Sequence, residues 1–449
     1  MLYFYLNHKF TKTFSSSYTR HEDSNLDDFE NDKWRIIKDM DPGRIDVITE
    51  KFTNTYAPDF IKWLDPNITF NPIYKWNLNT SSDSIQTANV ESSAIFKTKI
   101  NFNIQSFIEL IYTPENKGKS SRNKGRSRSS SSTNNNYKKI NIKNPTARLI
   151  IGKIYDMTSK LKTISSTYTR TIKNEYNNIP IDLNPSYLYR FGLQKSPTDE
   201  SGELYDESFT DNNIVSSSTH QDNHDIKTST NINITKNILV NLDYQFEKTS
   251  SISSSNTINE NESFSYYPLG IRGDKGFPIS TWSIKWLKIE KLWMLEELFK
   301  SVNLNHGFNG ERSITYSDSV LLGEDYTFNY SPLIGFKATT KGHNPITINA
   351  NYNLNQTIEN DGESTTRNHI NSINVTVNFK KTGGGKINTF FFRDFYLRNN
   401  MDISLTFNYN TNKELKTFTR ITDFADFNEQ AKSMDWSLKP NISYTFTNW

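Results

Sequence analysis

Seven histidines and no cysteine bound the chemistry this chain could carry. Zero Cys excludes disulfides, zinc-thiolate sites and thiol nucleophiles. Of His8, His21, His220, His224, His306, His343 and His369, only His220 and His224 stand close, in His-Gln-Asp-Asn-His-Asp. Asp222 or Asp225 could complete a metal site there. That run lies in a polar low-complexity stretch, however, so it reads as solvated loop, and neither a metal nor a cofactor is expected. Asp23, Asp27, Asp28, Glu30 and Asp32 form an acidic run without the glycine and ligand spacing of a calcium loop. Gly383-Gly384-Gly385-Lys386 lacks the spacing and the trailing Ser/Thr of a phosphate loop, and reads as a turn between two strands. No Gly-x-Ser-x-Gly occurs. The expectation is therefore a protein that is not an enzyme and that works through its surfaces.

Those surfaces have an unusual composition. The 449 residues include 52 Lys+Arg and 49 Asp+Glu, a formal net charge of +3, which is no nucleic-acid footprint. Hydrophobic residues make up only 34% and mean hydropathy is −0.70. Yet 8 Trp, 23 Tyr and 29 Phe give 13% aromatics, too many for a disordered chain. A polar chain rich in aromatics suits sheets with two unlike faces. No window reaches about 18 uncharged apolar residues, so no transmembrane helix is expected. The opening Met1-Leu-Tyr-Phe-Tyr-Leu6 has no basic region and does not read as a secretory signal.

The dominant pattern has period two. Ile238, Val240, Leu242, Tyr244 and Phe246 share one face, and Leu239, Asn241, Asp243, Gln245 and Glu247 the other, nearly pure alternation. The pattern recurs at Ile68–Leu78, Phe96–Ile104, Ile346–Leu354, Ile373–Phe379, Met401–Tyr409 and Trp436–Phe446. Helical spacing is absent from these runs. About sixteen such strands, at antiparallel spacing, predict an all-β protein. Lipid would cover their apolar faces directly, which points to an antiparallel transmembrane β-barrel with aromatic residues at the strand ends. A soluble β-sandwich or β-rich surface adhesin is the alternative, with the apolar faces paired across two sheets.

Two segments read as short inserted helices: Thr146–Leu161, opened by Asn144-Pro145, and Glu290–Phe299, wedged between strands at Thr281–Ile289 and Val302–Phe308. The whole chain, 1–449, reads as one β-barrel region. Residues 115–136, a basic Ser/Asn-rich run, and 196–230, an acidic one, are expected to be disordered polar loops, and 250–263 a further polar run.

More specific residues appear after Gly276. Phe277-Pro278-Ile-Ser-Thr-Trp282-Ser-Ile-Lys-Trp286-Leu-Lys-Ile-Glu290-Lys291-Leu292, followed by Val302-Asn-Leu304-Asn-His306-Gly307, resembles the C-terminal region of the SprA/Sov proteins. These are the gliding-motility and cell-surface translocons of type IX secretion. The family pattern is a Phe-Pro-x-Pro-x-Trp lead, then Trp-x-Gly-Leu-Glu-Lys, a short helix and a Leu-x-His-Gly strand. This chain departs from it with Lys288-Ile289 in place of Gly-Leu, and Ile279-Ser280 in place of the second Pro region. Further patches follow in the family's order: Lys162–Arg170, Pro185–Leu193, Tyr330-Ser-Pro332-Leu-Ile-Gly335 and Trp436–Tyr444, and an earlier strand expected at Ala57–Leu64 would extend the series.

The resemblance implies a fragment of a very large outer-membrane barrel that conducts folded protein cargo through a polar lumen. It also implies partners: outer-membrane lipid, the secreted cargo, a shuttle barrel and a periplasmic plug. A stand-alone porin or transporter barrel is the alternative within the membrane class.

Overall fold

The computed structural model describes residues 2–25, 38, 43–59, 61, 63–79, 86–111, 145–181, 184–198, 217–268, 276–292, 295–381, 385–387, 395–397, 399–418 and 427–444. Seventeen strands form one antiparallel sheet. In chain order these begin with β1 (Leu2–Lys9), β2 (Phe14–Asn25), β3 (Arg44–Tyr56), β4 (Leu64–Asn79), β5 (Thr87–Phe102), β6 (Ile164–Pro180), β7 (Ser217–Asn233) and β8 (Ile238–Ser253). They continue with β9 (Ile258–Pro268), β10 (Gly276–Pro278), β11 (Thr281–Trp286), β12 (Phe299–Ser317), β13 (Val320–Thr340), β14 (Ile346–Asn360) and β15 (Thr365–Lys381). After a separate two-stranded pair, β16 (Gly385–Ile387) and β17 (Phe395–Leu397), the sheet closes its order with β18 (Met401–Thr417) and β19 (Asn428–Tyr444).

Each strand pairs with the next in an up-and-down meander, with one interruption. Both β9 and β11 lie between β8 and β12, end to end in a single position. The chain leaves that position after Ser265, makes the three-residue β10 against the end of β9, and returns at Thr281. Among the described residues β1 pairs only with β2 and β19 only with β18. Both edge strands are largely exposed.

The helices sit at strand ends. Helix α1 (Ile104–Ile111) follows β5 directly, and α2 (Pro145–Thr158) precedes β6. A single-turn α3 (Tyr187–Arg190) follows β6. Between β11 and β12 come a 3-10 turn at Ile289–Lys291 and a four-residue α4 (Leu295–Leu298).

Four sequence expectations need correction. The polar stretch 196–230 is not one loop: Ser217–Asn233 is a full strand paired on both sides. Residues 250–263 are mostly strand too, with only a short turn between Ser253 and Ile258. The helix at Glu290–Phe299 is shorter and broken, and Phe299 already begins β12. Ile104, which continues the alternation of β5 in sequence, opens α1 instead: Asn103 accepts the Ser106 N–H at 2.9 Å and so caps the helix. In addition, the strand expected at Ala57–Leu64 is not found among its described residues: 57–59, 61 and 63 lie between β3 and β4, outside both. The basic run 115–136, the acidic residues 27–32, Gly383, Gly384 and Phe446 lie outside the described residues.

Candidate functional site

Register turns the alternation into two continuous faces. Phe70 opposes Phe96, Leu242 opposes Trp282, Trp282 opposes Phe308, Ala350 opposes Val375, Val375 opposes Phe407 and Phe407 opposes Leu438. All of these share one face of the sheet. On it the apolar residues form a band across β4–β5, β8, β11–β15, β18 and β19. From Ile346 to Leu354 the band runs about 27 Å along β14 at about 3.4 Å per residue. At a strand tilt of about 40° it would span about 21 Å, close to the ~25 Å apolar belt of outer-membrane barrels.

The opposite face is polar. Lys75, Glu91, Lys173 and Glu175 make a ladder of ion pairs across β4–β6, with Lys75–Glu91 at 3.1 Å. Further along the sheet that face is built of amides and hydroxyls. Asn374 bonds Asn408, Asn408 donates to Ser437 at 3.3 Å, Asn353 donates to Ser372 at 3.1 Å and Thr376 meets Thr406 at 3.4 Å. Lateral bonding joins many of these groups within the sheet, and charged residues stand among them, with Lys439 opposite Thr406, Asp435 opposite Asn410 and Lys380 opposite Asp402.

Two segments fold back over the apolar face just beyond the band. The first carries α3. Tyr189 is fully buried among Tyr74, Ala88, Val90, Tyr176 and Ile179, and its hydroxyl donates to the Asn174 carbonyl at 3.3 Å. Gly192, at φ +66°, lies against Ala94, where a side chain would clash. Arg190 stands over the Tyr74 ring at 5.1 Å and pairs with Glu50 at 3.3 Å. Glu50 also accepts from Arg20 at 2.7 Å and from the Tyr18 hydroxyl at 3.2 Å, while Arg20 bonds Glu22 as well. The second segment is the excursion between β9 and β11. Tyr266 packs with Phe308, Tyr326, Phe328 and Ile358, and Tyr267 meets Trp282 and Phe308 at ring distances of 5.4 and 5.2 Å.

The motif residues divide into two groups. Trp282, His306, Gly307, Pro332 and Gly335 converge on one bulge. Residues Ser331–Leu333 of β13 stand out of register with both β12 and β14. The His306 Nδ1–H donates to the Leu333 carbonyl of that bulge at 2.8 Å. Gly307 leaves room for the Ser331 carbonyl, 3.0 Å from where a Cβ would stand, and Gly335 leaves room for the Asn305 side chain. Trp282 stacks against Phe308 at 4.4 Å and lies beside His306 at 6.4 Å.

The second group closes the other end of the same strands. Glu290 accepts the Val302 N–H at 2.8 Å and ties the 3-10 turn to β12. Lys291 and Leu292 are exposed there, and so is Trp286 on β11. Lys288 is left-handed at φ +59°, a conformation that favours glycine. Phe277 and Pro278 lie in β10, away from both groups in the register.

His220 and His224 are not brought together as ligands. They stand on β7 with Asp222 between them, and Arg170 takes that carboxylate through two nitrogens, at 3.0 and 2.6 Å. Asn174 bonds His220, and Tyr168 bonds His224 at 2.8 Å. Among the described residues no cluster of three or more His, Cys, Asp or Glu could hold a metal ion, and no helix is long and apolar enough to cross a membrane. Sequence reasoning missed the Glu50–Arg190 network, whose partners are 140 residues apart.

No family model matches the chain, and no curated protein is significantly similar to it.

Proposed function

We propose that this sheet is part of the wall of an outer-membrane protein-translocation barrel, of the kind that serves type IX secretion and gliding motility. The observation that carries the reading is the separation, along β4–β5, β8, β11–β15, β18 and β19, of an apolar band on one face from an ion-paired and amide-rich wall on the other. Lipid covers the band, and the polar wall lines an aqueous lumen along which folded cargo passes. Such a wall offers cargo many hydrogen-bonding groups already engaged with their neighbours, which favours sliding over capture.

The resemblance to SprA/Sov proteins supplies the secretion assignment. Two features support it: the clustering of Trp282, His306, Gly307, Pro332 and Gly335 around one bulge, and the left-handed Lys288 where the family carries glycine. Among the described residues β1 and β19 have a single partner each, which favours a larger wall over a self-contained porin, because a sheet edge left in lipid would expose unpaired peptide groups. In this reading the shuttle barrel and the periplasmic plug are partners of the assembled wall.

Deleting the coding region in the source cell and measuring surface and released proteins tests the assignment. The expected outcome is loss of exported cargo. Loss of small-solute uptake with normal protein export would overturn it in favour of a porin. A detergent-free soluble protein would overturn it in favour of an adhesin.

A further inference from the structure

We propose that α1 and α2 form a foot that lies in the plane of the bilayer, within its headgroup–acyl boundary, and so anchors one rim of the sheet. The inference rests on the membrane reading above and adds a second kind of lipid contact to it.

Its basis is that polar side chains make the junction between the two helices while apolar side chains on both stay exposed. In α1, Gln105 and Glu109 form the polar edge, and Ile104, Phe107, Ile108 and Leu110 the apolar one. In water the apolar edge would be the one packed. Here the polar edge makes the junction with α2, and Phe107 of the apolar edge meets the sheet at Trp63 and Phe102. Buried Tyr155 of α2 donates to Glu109 at 3.0 Å and bonds Gln105 at 3.2 Å. Phe107 and Leu110 are left exposed on α1, and Ile154 and Met157 on α2, with Met157 at 69%. On α2 the exposed Asp156 lies on the side opposite Ile154, and Lys153, one turn before Met157 on the same side, has a stem long enough to carry its ammonium to the headgroups.

Position names the occupant. Helix α1 starts two residues after Phe102, the last apolar-face residue of β5. The Phe107 ring lies 5.0 Å from Trp63 and 5.9 Å from Phe102, so its apolar edge continues the band without a gap. A surface continuous with the lipid-facing band, at the height of its aromatic rim, meets the same bilayer where headgroups begin. Helices of this kind bury their apolar face about 5–10 Å into that boundary.

The chain has no cysteine, so single reporters can be placed without background. Met157→Cys, Leu110→Cys, Asp156→Cys and Leu405→Cys would each carry a bimane label in the full chain, reconstituted in phosphatidylcholine nanodiscs. Quenchers would be doxyl groups placed shallow or deep on the lipid chain, or iodide in the buffer. The expected result is loss of fluorescence at positions 157 and 110 with the shallow doxyl lipid, at 156 with iodide, and at 405 with the deep lipid. Iodide quenching at 157 and 110 together with lipid quenching at 405 would overturn the foot and leave the barrel standing. Protection of 157 and 110 from every quencher would overturn it in favour of a protein partner. Iodide quenching at 405 would overturn the membrane reading and the foot with it.

Discussion

Replacing Glu50 with glutamine keeps the shape of a buried side chain and removes its charge. Its side chain is only 5% exposed and holds Arg20, Arg190 and the Tyr18 hydroxyl. After the change Arg20 still has Glu22. Arg190, at 14% exposure, keeps only neutral oxygens: the Pro185 carbonyl at 3.0 Å and the Asn184 side chain. Removing one partner of a buried pair costs about 3–5 kcal/mol. Arg20's surviving partner argues for the lower end, about 3 kcal/mol. At 1.36 kcal/mol per tenfold, the α3 segment would open roughly 150-fold more often. Native-state hydrogen exchange reads this directly. The amides of Arg190, Phe191 and Gly192 bond carbonyls within the segment, at Ser186, Tyr187 and Tyr189. Glu50→Gln should speed their exchange by about two orders of magnitude and leave β14 and β15 unchanged. A change below about fivefold, the worth of a solvent-exposed pair, would refute the claim that this network holds the segment down.

Three further outcomes are expected. Leu405→Arg, in the middle of the band on β18, should destabilise the lipid-folded protein by about 2–4 kcal/mol in urea titrations, whereas Thr406→Arg on the polar face should change stability by less than about 0.5 kcal/mol. Lys288→Gly should raise stability by up to about 1 kcal/mol, since the native φ of +59° suits glycine; a loss of stability in the same titration would count against the left-handed turn. Gly310→Ala should dislodge the excursion between β9 and β11, because a Cβ there meets the Tyr266 carbonyl and the Phe308 ring, and protease cleavage near Tyr267 would report it.

The strands that were legible in sequence are those that cross the band. Ile346–Leu354 alternates cleanly because one face must be apolar along its whole length. Strand β7 was hidden because its upper part carries polar residues on both faces: His220, Asp222 and His224 on one, Gln221, Asn223 and Asp225 on the other. Only its neighbours, β6 and β8, make it a strand. Helix α1 was hidden because Ile104 fits the alternation of β5, although Asn103 carried a capping signal that could have marked the break. The motif residues were found as a linear pattern, and their convergence was not, because it depends on extra residues in β13 that shift its register against both neighbours. Glu50 and Arg190 gave no local signal, since a pair formed between distant strands leaves no periodicity to read.

The central claim is that one face of this sheet meets lipid and the other meets water. Spin labels placed one at a time from Ile346 to Leu354 of β14, in lipid bilayers, test it most directly, with collision rates read for oxygen in the membrane and for a nickel chelate in the buffer. The account predicts strict alternation, with oxygen dominant at 346, 348, 350, 352 and 354 and nickel dominant at 347, 349, 351 and 353. Uniform access to nickel, or alternation with the opposite phase, would contradict it.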